Sequence, residues 1–451
     1  MKKIILNILL VFTLFSAPLV AQNITLDSSK VLALENNKHL KASRLNLEAS
    51  KKVKKNAFTK YFPIVNANAA AFRSSDYLLD FETPEMNLPV YDGNPANIPG
   101  ATQFAYVPSL NLQMLDYVNG ASITATQPIY AGGRIRNGNK LASLGVEISE
   151  SQLNLTTYQV LVSTEEYYWN LVALKEKKLT LNSYDQLLKT LQKEVGDFYE
   201  AGMVNKSDLL KIKLEINKIE ANRLKLDNGI EILKMVYCQH LGIPYNQAIE
   251  VNDSIININS PESYFVEPSV ALNNRQEYYM LNKAVDAEKL QKKMARGEYM
   301  PQLALGVGGL YLDMFEESNG YGIAFATLSI PISNWWGGSY KLQENEIKIK
   351  IAQNNLDEKS ELLQVQIFKA YKDLTESYQQ IDIANTSLEQ SIEYEQEVKN
   401  NFDAGISSTS DLLEARAQTQ KAKDDQIDVK SQYRIKLANY LLVVGKINTD
   451  V

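Results

Sequence analysis

The residues with the clearest potential for chemistry are three carboxylates that follow glycine turns. Asp411 and Glu414 come shortly after Gly405 and stand three positions apart, so they share one face of a helix. Asp208 follows Gly202 in the same way. Carboxylates around a narrow opening select cations. An acidic residue just after a turn also caps the helix that begins there, and both roles stay open for Asp208 and Asp411.

The sequence shows no motif that combines the nucleophilic, acidic or metal-ligating residues of an enzyme active site. His39 and His240, the only histidines, have no ligand-like neighbours, and no nucleophile accompanies acid pairs such as Asp424-Asp425, which are expected to face water. The glycine-rich run at 306–309 superficially suggests a phosphate loop, but it lies in strand-like sequence. We therefore expect no enzyme, no cofactor and no metal site.

The chain contains two copies of one unit. The segment Ala33–Asn37 corresponds to Ala271–Arg275, 238 residues later, and Ser207–Leu210 corresponds to Ser410–Leu413, 203 residues later. Matching segments that keep the same order and a similar spacing over such a length rarely arise by chance. The sequence therefore predicts two internal repeats joined by a proline-containing connector. Their predicted bounds are 23–242 for the first repeat, 243–268 for the connector and 269–451 for the second repeat.

The start of the chain predicts a secretory signal peptide over residues 1–22. Lys2 and Lys3 precede an apolar run that ends in small residues, with cleavage expected near Ala21 or Gln22. The whole chain has 47 basic and 53 acidic residues, a balance that does not favour nucleic acid. After the signal no stretch approaches the roughly 18 apolar residues of a membrane helix, so any membrane crossing is expected to use strands.

Each repeat is predicted to contain one β-hairpin. The strands are expected at about 63–72 and 120–129 in the first repeat, and at about 302–311 and 322–332 in the second. Large apolar residues alternate with small ones there, as in strands with one lipid-facing side. Residues 74–119, between the arms of the first hairpin, hold five prolines and are assigned to a loop outside the cell.

Helices are predicted to fill most of the remaining sequence. Each repeat opens with a helical pattern, from Leu26 to about Thr59 in the first and from Ser269 to about Glu298 in the second. The pairs Gly132-Gly133 and Gly337-Gly338 are expected to adopt positive φ where strand turns into helix. Nearly 70 residues without proline then follow in each repeat, enough for a helix of roughly 100 Å.

The long helices are predicted to fold back on themselves. The tips of these hairpins are expected at about 200–208, with Gly202 in the turn, and at about 403–411, with Gly405 in the turn. The returning helix carries apolar residues at alternating spacings of three and four, which is typical of an antiparallel coiled coil.

Counting strands predicts an oligomer. Two hairpins give four membrane strands per chain, whereas the smallest common closed barrels need about eight, so one chain would leave open edges in lipid. The predicted fold is therefore an α+β membrane protein. A long antiparallel coiled-coil helical barrel continues into a transmembrane β-barrel that several subunits share, and such a tube joined to a pore is a conduit.

These features together resemble the TolC-type outer-membrane efflux proteins, the outer membrane factor family. The resemblance rests on the signal peptide, the order of elements and the two tip sequences, Ala201–Leu210 and Ala404–Leu413. It implies a homotrimer with a twelve-stranded barrel in the outer membrane of a Gram-negative bacterium and a helical part in the periplasm. It further implies a periplasmic adaptor protein and an inner-membrane pump as partners. The implied function is the exit duct of a tripartite efflux or type I secretion system.

The resemblance also implies a gate at the tips. Asp411 and Glu414 match the acidic constriction of the family, and three copies would place six carboxylates there. In closed family members an acid on the first tip bonds to a tyrosine and an arginine on the second. Asp208 matches that acid, but the partner positions hold Phe402 and Ser407, so this chain is expected to close differently.

Aromatic residues flank the predicted strands at the end that would face the periplasm. They predict a girdle at the membrane interface, although packing at strand-to-helix junctions is the competing interpretation. The residues are Tyr61, Phe62, Tyr130, Tyr299, Trp335 and Trp336. Two other functions also stay open for the whole chain, a secreted structural coiled-coil protein and a stand-alone passive porin.

Overall fold

The computed structural model describes residues 22–254, 258–314 and 317–446. The predicted signal segment lies almost entirely outside these residues. The chain forms two compact units. The helical unit draws on the described residues up to Lys52, on Leu144–Ala287 and on the residues from Ile349 onward, and the sheet unit comprises Val53–Ser143 and Glu288–Lys348.

The elements of the first half follow in this order. Strand β1 is Gln22–Ile24, followed by helices α1 (Leu26–Asn36) and α2 (Lys38–Thr59). Six strands come next, and then two long helices and a short strand. They are β2 (Ile64–Arg73), β3 (Leu79–Glu82), β4 (Met86–Pro89), β5 (Phe104–Val107), β6 (Asn111–Met114), β7 (Tyr117–Ala131), α3 (Arg134–Glu200), α4 (Lys206–Leu241) and β8 (Ile249–Val251).

The second half repeats the sequence of helix, hairpin and long helices. Its elements are α5 (Pro268–Leu272), α6 (Gln276–Gly297), β9 (Gln302–Met314), β10 (Glu317–Ser329), α7 (Trp335–Asp403) and α8 (Thr409–Val443). Helices α3 and α7 contain 67 and 69 residues. None of the helices described is long and apolar enough to cross a membrane.

The helical sequence predicted from Leu26 to about Thr59 forms two helices, α1 and α2, which are divided at Asn37. The buried side chain of Asn37 explains the break. Its Oδ1 accepts the backbone N–H groups of His39 and Leu40 at 2.9 and 3.1 Å, which caps α2, while its Nδ2 donates to the carbonyl of His240 at 2.8 Å. Because the Asn37 amide caps α2 and also bonds to the end of α4, the helix is interrupted at this residue.

The core of the helical unit consists of several apolar clusters. One surrounds Tyr168 and Tyr237, and another surrounds Tyr433 and Tyr440, all four of which are fully buried. The connector adds β8, which pairs in parallel with β1. The connector therefore contains regular structure that its prolines did not predict.

The sheet unit contains one antiparallel sheet with the strand order β10-β9-β7-β2. Its strands begin and end within a few residues of the predicted bounds, except that β10 begins at Glu317 and ends at Ser329. The early end has a simple cause. Pro331 has no backbone N–H to continue the ladder, and a 3-10 turn follows at Ile332–Asn334.

The strand register gives the sheet two unlike faces. Directly paired residues lie on the same side, so the ladders assign each position to a face. In the central part of the sheet one face is mainly apolar, with Gln127 as a polar member. The other face combines small and polar residues of β2, β7 and β9 with Ile323 and Phe325 of β10. The apolar face carries Val65, Ala67, Ile123, Ala125, Leu305, Val307, Ala324 and Ala326, and the opposite face carries Asn66, Asn68, Ser122, Thr124, Gly306 and Gly308.

Two predictions about the hairpin ends need correction. Residues 74–119 are not loop alone, because β3 pairs with β6 and β4 pairs with β5 in antiparallel fashion despite the prolines between them. Gly132 and Gly133 have positive φ as predicted, at 61° and 77°. Gly337 and Gly338 do not, because both lie inside α7. Gly338 instead gives room to the ring of Tyr299, which would lie 3.1 Å from an added Cβ.

Candidate functional site at the helix tips

Both turns at the helix tips have glycine in the left-handed conformation. Gly202 and Gly405 have φ of 72° and 76°. In the first turn the N–H of Met203 donates to the carbonyl of Phe198 at 2.8 Å, and the second turn has an equivalent bond of the same length. This arrangement satisfies carbonyls that a helix end would otherwise leave free. An added Cβ at either glycine would meet open space, so the dihedral angle alone requires glycine here.

Asp411 caps helix α8. Its Oδ2 accepts the backbone N–H of Ser408 and the Ser408 hydroxyl, both at 2.8 Å, and its own N–H donates to Ser408 Oγ at 3.3 Å. This reciprocal pair is a capping box. The hydrogen bonds from Ser408 hold the pKa of Asp411 below its ordinary value. The carboxylate therefore remains ionised at neutral and mildly acidic pH.

Asp411 and Glu414 are both exposed, while Leu412 and Ala415 between and beside them are buried. The two carboxylates thus lie on the face of α8 that points away from the apolar packing of the tips. Glu414 accepts a hydrogen bond from Gln418 at 3.4 Å. Capping accounts for the orientation of Asp411, and it leaves the charge of both residues available at the surface.

Asp208 does not bond to the residues at the partner positions of the family lock. Its Oδ1 lies 3.5 Å from Nζ of Lys211, and that ammonium donates to Ser410 Oγ at 2.7 Å. Lys211 therefore links the tip of α4 to the start of α8. Phe402 is partly buried and packs against an apolar cluster. The cluster comprises Leu191, Val195, Ile212, Val398, Leu412 and Ala415.

A polar network between α3 and α8 was missed in the sequence. Asp424, which was expected to face water, is half-buried, and its Oδ1 accepts hydrogen bonds from Thr180 Oγ1 at 3.2 Å and Gln420 Nε2 at 3.0 Å. Nearby, Lys177 forms an ion pair with Asp428 at 2.5 Å. Asp425 is exposed, as predicted. The sequence signal for this network is weak. It consists of Thr180 on one long helix and of Gln420 and Asp424, four residues apart, on another.

Asp424→Asn is expected to stabilise the protein at alkaline pH. Burial raises the pKa of Asp424. A carboxyl with a higher pKa in the folded than in the unfolded state costs stability as the pH rises above the unfolded value. Asparagine keeps the acceptor oxygen without the charge, so we expect a melting temperature roughly 1–2 °C higher at pH 8 and unchanged near pH 4.

Thermal unfolding followed by circular dichroism measures this difference. Asp425→Asn removes the same charge from the exposed neighbour and should give no pH-dependent shift. A stabilisation by Asp424→Asn that was equally large at pH 4 would show that charge burial is not its cause.

The six predicted girdle residues all lie at one end of the four-stranded sheet, where β2 and β9 begin and β7 and β10 end. Tyr61 and Phe62 each pack edge-on against the ring of Phe58, with centroids 5.7 and 5.6 Å apart. Trp335 Nε1 donates to the carbonyl of Tyr299 at 2.9 Å. Trp336 is 81% exposed. These contacts fix ring positions, and five of the six residues remain exposed, with Tyr299 partly buried.

Among the described residues no group of three or more histidine, cysteine, aspartate or glutamate side chains is arranged to hold a metal ion. The candidate site is defined by the charges and the shape of the helix tips. It consists of the two turns, the capped carboxylates and the apolar packing behind them.

Comparison with known proteins identifies relatives of this fold. Residues 268–445 match the family model of the outer membrane efflux protein. A comparison of the sequence with curated proteins finds no match. Among solved structures, the CmeC outer membrane channel of Campylobacter jejuni has a TM-score of 0.73 at 16% identity, covering 94% of this chain and 87% of that one.

Two further structures extend this similarity over almost the whole chain. The outer membrane protein VceC of Vibrio cholerae has a TM-score of 0.73 at 13% identity, covering 93% of this chain and 96% of that one. The open state of the MtrE outer membrane channel of Neisseria gonorrhoeae has a TM-score of 0.70 at 15% identity, covering 94% and 90%. At these identities the similarity establishes the fold, and the family match covers residues 268–445.

Proposed function

Because residues 268–445 belong to the outer membrane efflux protein family and the chain has the fold of outer-membrane channels, we propose that this protein is an outer-membrane exit duct. It passes substrates from an inner-membrane pump across the periplasm and the outer membrane of a Gram-negative bacterium. A periplasmic adaptor protein joins it to the pump, in a tripartite efflux or type I secretion system.

The observation that carries the proposal is the sheet with its two faces and two free edges. Strands β10 and β2 lie at the edges and have no neighbour on their outer sides within the described chain. Lipid cannot satisfy unpaired backbone groups, so the edges need strands from other subunits. Pairing β2 of one subunit with β10 of the next closes a twelve-stranded barrel in a homotrimer, with the apolar face toward lipid and the face of Asn66 and Asn68 toward the lumen.

The experiment that tests the proposal combines oligomeric state, conductance and export. The purified protein in detergent should be trimeric and should form channels in planar bilayers. A monomer without channels would contradict the proposal and favour a secreted coiled-coil protein. Deleting the gene of the adaptor partner should abolish export in cells, whereas unchanged export would identify a stand-alone passive porin.

The carboxylates at the tips are proposed to form the selective constriction. Three copies of Asp411 and Glu414 supply six negative charges, and the Ser408 cap holds Asp411 in one orientation. Closure rests on the apolar cluster and on the Lys211–Ser410 bond, because Phe402 and Ser407 do not supply the family lock. The aromatic girdle is proposed to lie at the periplasmic interface of the outer membrane.

Asp411→Asn combined with Glu414→Gln is expected to reduce cation selectivity several-fold in single-channel recordings, because the amides remove six charges while asparagine retains the capping acceptor. In a Glu414→Gln background the selectivity that remains should persist from pH 8 to pH 5, since the pKa of Asp411 is lowered. Asp425→Asn removes a charge from the same helix about 20 Å away and is the control. Unchanged selectivity in the double variant would leave Asp411 with a capping role alone.

A further inference from the structure

The first hairpin extends far beyond the second. Hydrogen bonds continue its ladder past β2 and β7, from Ser74 N–H to the Asp116 carbonyl at 2.7 Å, and from Thr83 N–H to the Leu110 carbonyl at 2.9 Å. The last rung joins Val90 N–H to the Gln103 carbonyl at 2.9 Å. A tilted membrane strand needs only about 9–11 residues. The part from residue 74 to residue 116, which we name the ribbon, therefore has no membrane-spanning role.

The ribbon presents apolar side chains without a partner. In the pair of β3 and β6, Leu79 faces Met114 and Phe81 faces Leu112 on one side, while Asp80 and Glu82 lie on the other. Leu79, Phe81 and Leu112 are all exposed, as are Met86, Leu88, Phe104 and Tyr106 in β4 and β5. Two strands alone are marginally stable in water, so surface of this kind favours a covering partner.

The charge of the ribbon restricts what that partner is. Residues 74–133 contain six acidic residues and no lysine, arginine or histidine. The acids are Asp76, Asp80, Glu82, Glu85, Asp92 and Asp116. Asn97 donates to Asp92 at 2.9 Å and keeps the pKa of this carboxyl below its ordinary value, so the charge at the end of the ribbon persists. In the pair of β3 and β6, an apolar face thus lies opposite a face that carries Asp80 and Glu82, and the whole ribbon has no basic side chain.

We propose that the ribbon is a docking edge for a separate polypeptide outside the cell, whose extended segment alternates apolar and basic residues. The location outside the cell rests on the proposed function. A strand that pairs with the free edge of β3 places its side chains alternately on the two faces. Its apolar residues extend the face of Leu79 and Phe81, and its lysines or arginines lie beside Asp80 and Glu82.

The same charge disfavours the other occupants. A ribbon from another trimer, paired with this one, would bring twelve carboxylates together with no basic group in either ribbon, and like charges at short range repel. A phosphate-bearing lipid surface is also negative. A basic strand satisfies the unpaired backbone edge, the apolar face and the acidic face together.

Binding of a synthetic peptide tests the proposal. The probe is a seven-residue peptide of alternating valine and lysine, titrated calorimetrically into the full-length detergent-solubilised protein. Binding is expected to weaken with rising salt. Asp80→Asn with Glu82→Gln should weaken it roughly 3- to 30-fold. Asp92→Asn, which removes a charge from the turn beyond β4, is the matched control and should leave the affinity unchanged.

A shortened variant separates this proposal from the proposed function. Replacing residues 79–114 by Asn-Gly fits a two-residue turn between Leu78 and Leu115, whose backbones already pair at 3.3 Å. It should lose peptide binding and keep channel conductance. A wild-type protein that conducts but does not bind the peptide overturns the docking edge alone, whereas one that binds but does not conduct overturns the proposed function.

Three other results would also overturn the docking edge. The first is equal affinity for a peptide of alternating valine and glutamate. The second is assembly of wild-type trimers into larger particles that the shortened variant does not form, which would assign the ribbon to a second copy. The third is ribbon-dependent binding to vesicles of anionic phospholipid.

Discussion

Ile123→Lys is expected to prevent most of the protein from inserting into the outer membrane. Ile123 lies in the middle of β7 and is exposed on the apolar face of the sheet, beside Ala67 of β2. In the proposed barrel this face meets the hydrocarbon near its midplane. A lysine there costs about 2–4 kcal/mol per subunit, and the cost applies three times in a trimer.

The neighbouring residue supplies a matched control. Ser122 precedes Ile123 in β7 and lies on the opposite face, level with Asn68. Ser122→Lys should therefore insert normally, and its three lumenal charges should reduce cation selectivity. The amount of heat-modifiable trimer in purified outer membranes measures insertion, and bilayer recordings measure selectivity. If Ser122→Lys failed to insert while Ile123→Lys succeeded, the two faces would be assigned the wrong way round.

Periodicity and composition predict the fold well because both report directly on repeating geometry. The long helices follow from proline-free sequence with apolar residues every three or four positions, and the strands follow from alternation. Exceptions arise where the hydrogen bonds of one side chain interrupt the structure that the periodicity predicts. Asn37 interrupts a helix because it satisfies three backbone groups at once. The ribbon forms despite five prolines because none of them removes a donor that its short ladders need.

The candidate site is less predictable from sequence because its contacts join distant segments. The glycine turns and the acids after them stand out in both repeats. The link from Lys211 to Ser410 depends on how the two tips approach each other, and the half-burial of Asp424 depends on which face of α8 meets Thr180. The residue spacing within a single helix predicts neither the Lys211–Ser410 link nor the burial of Asp424. Similarly, the pairs at 132–133 and 337–338 look alike in sequence and differ in backbone conformation.

Gly132→Ala is expected to destabilise the sheet unit by at least about 3 kcal/mol. Gly132 has φ of 61°, where an alanine costs about 1–2 kcal/mol. In addition, an added Cβ would lie 2.2 Å from the carbonyl oxygen of Gly297, so two backbone segments would have to separate. Separating them also strains the hydrogen bond of 3.0 Å that Arg134, two residues after Gly132, donates to Gln302, five residues after Gly297.

Neighbouring glycines distinguish the two components of this cost. Gly133 has φ of 77°, but an added Cβ would lie 3.5 Å from Asn137 in ordinary contact, so Gly133→Ala should cost only about 1–2 kcal/mol. Gly297→Ala recreates the clash from the other side, at 2.5 Å from the Gly132 carbonyl oxygen. Because one separation of the segments relieves both clashes, the Gly132→Ala and Gly297→Ala double variant should cost less than the sum of the singles. Chemical unfolding of the detergent-solubilised protein measures all four variants. Equal losses for Gly132→Ala and Gly133→Ala would mean that the dihedral angle, and not the close approach of the backbones, determines the need for glycine.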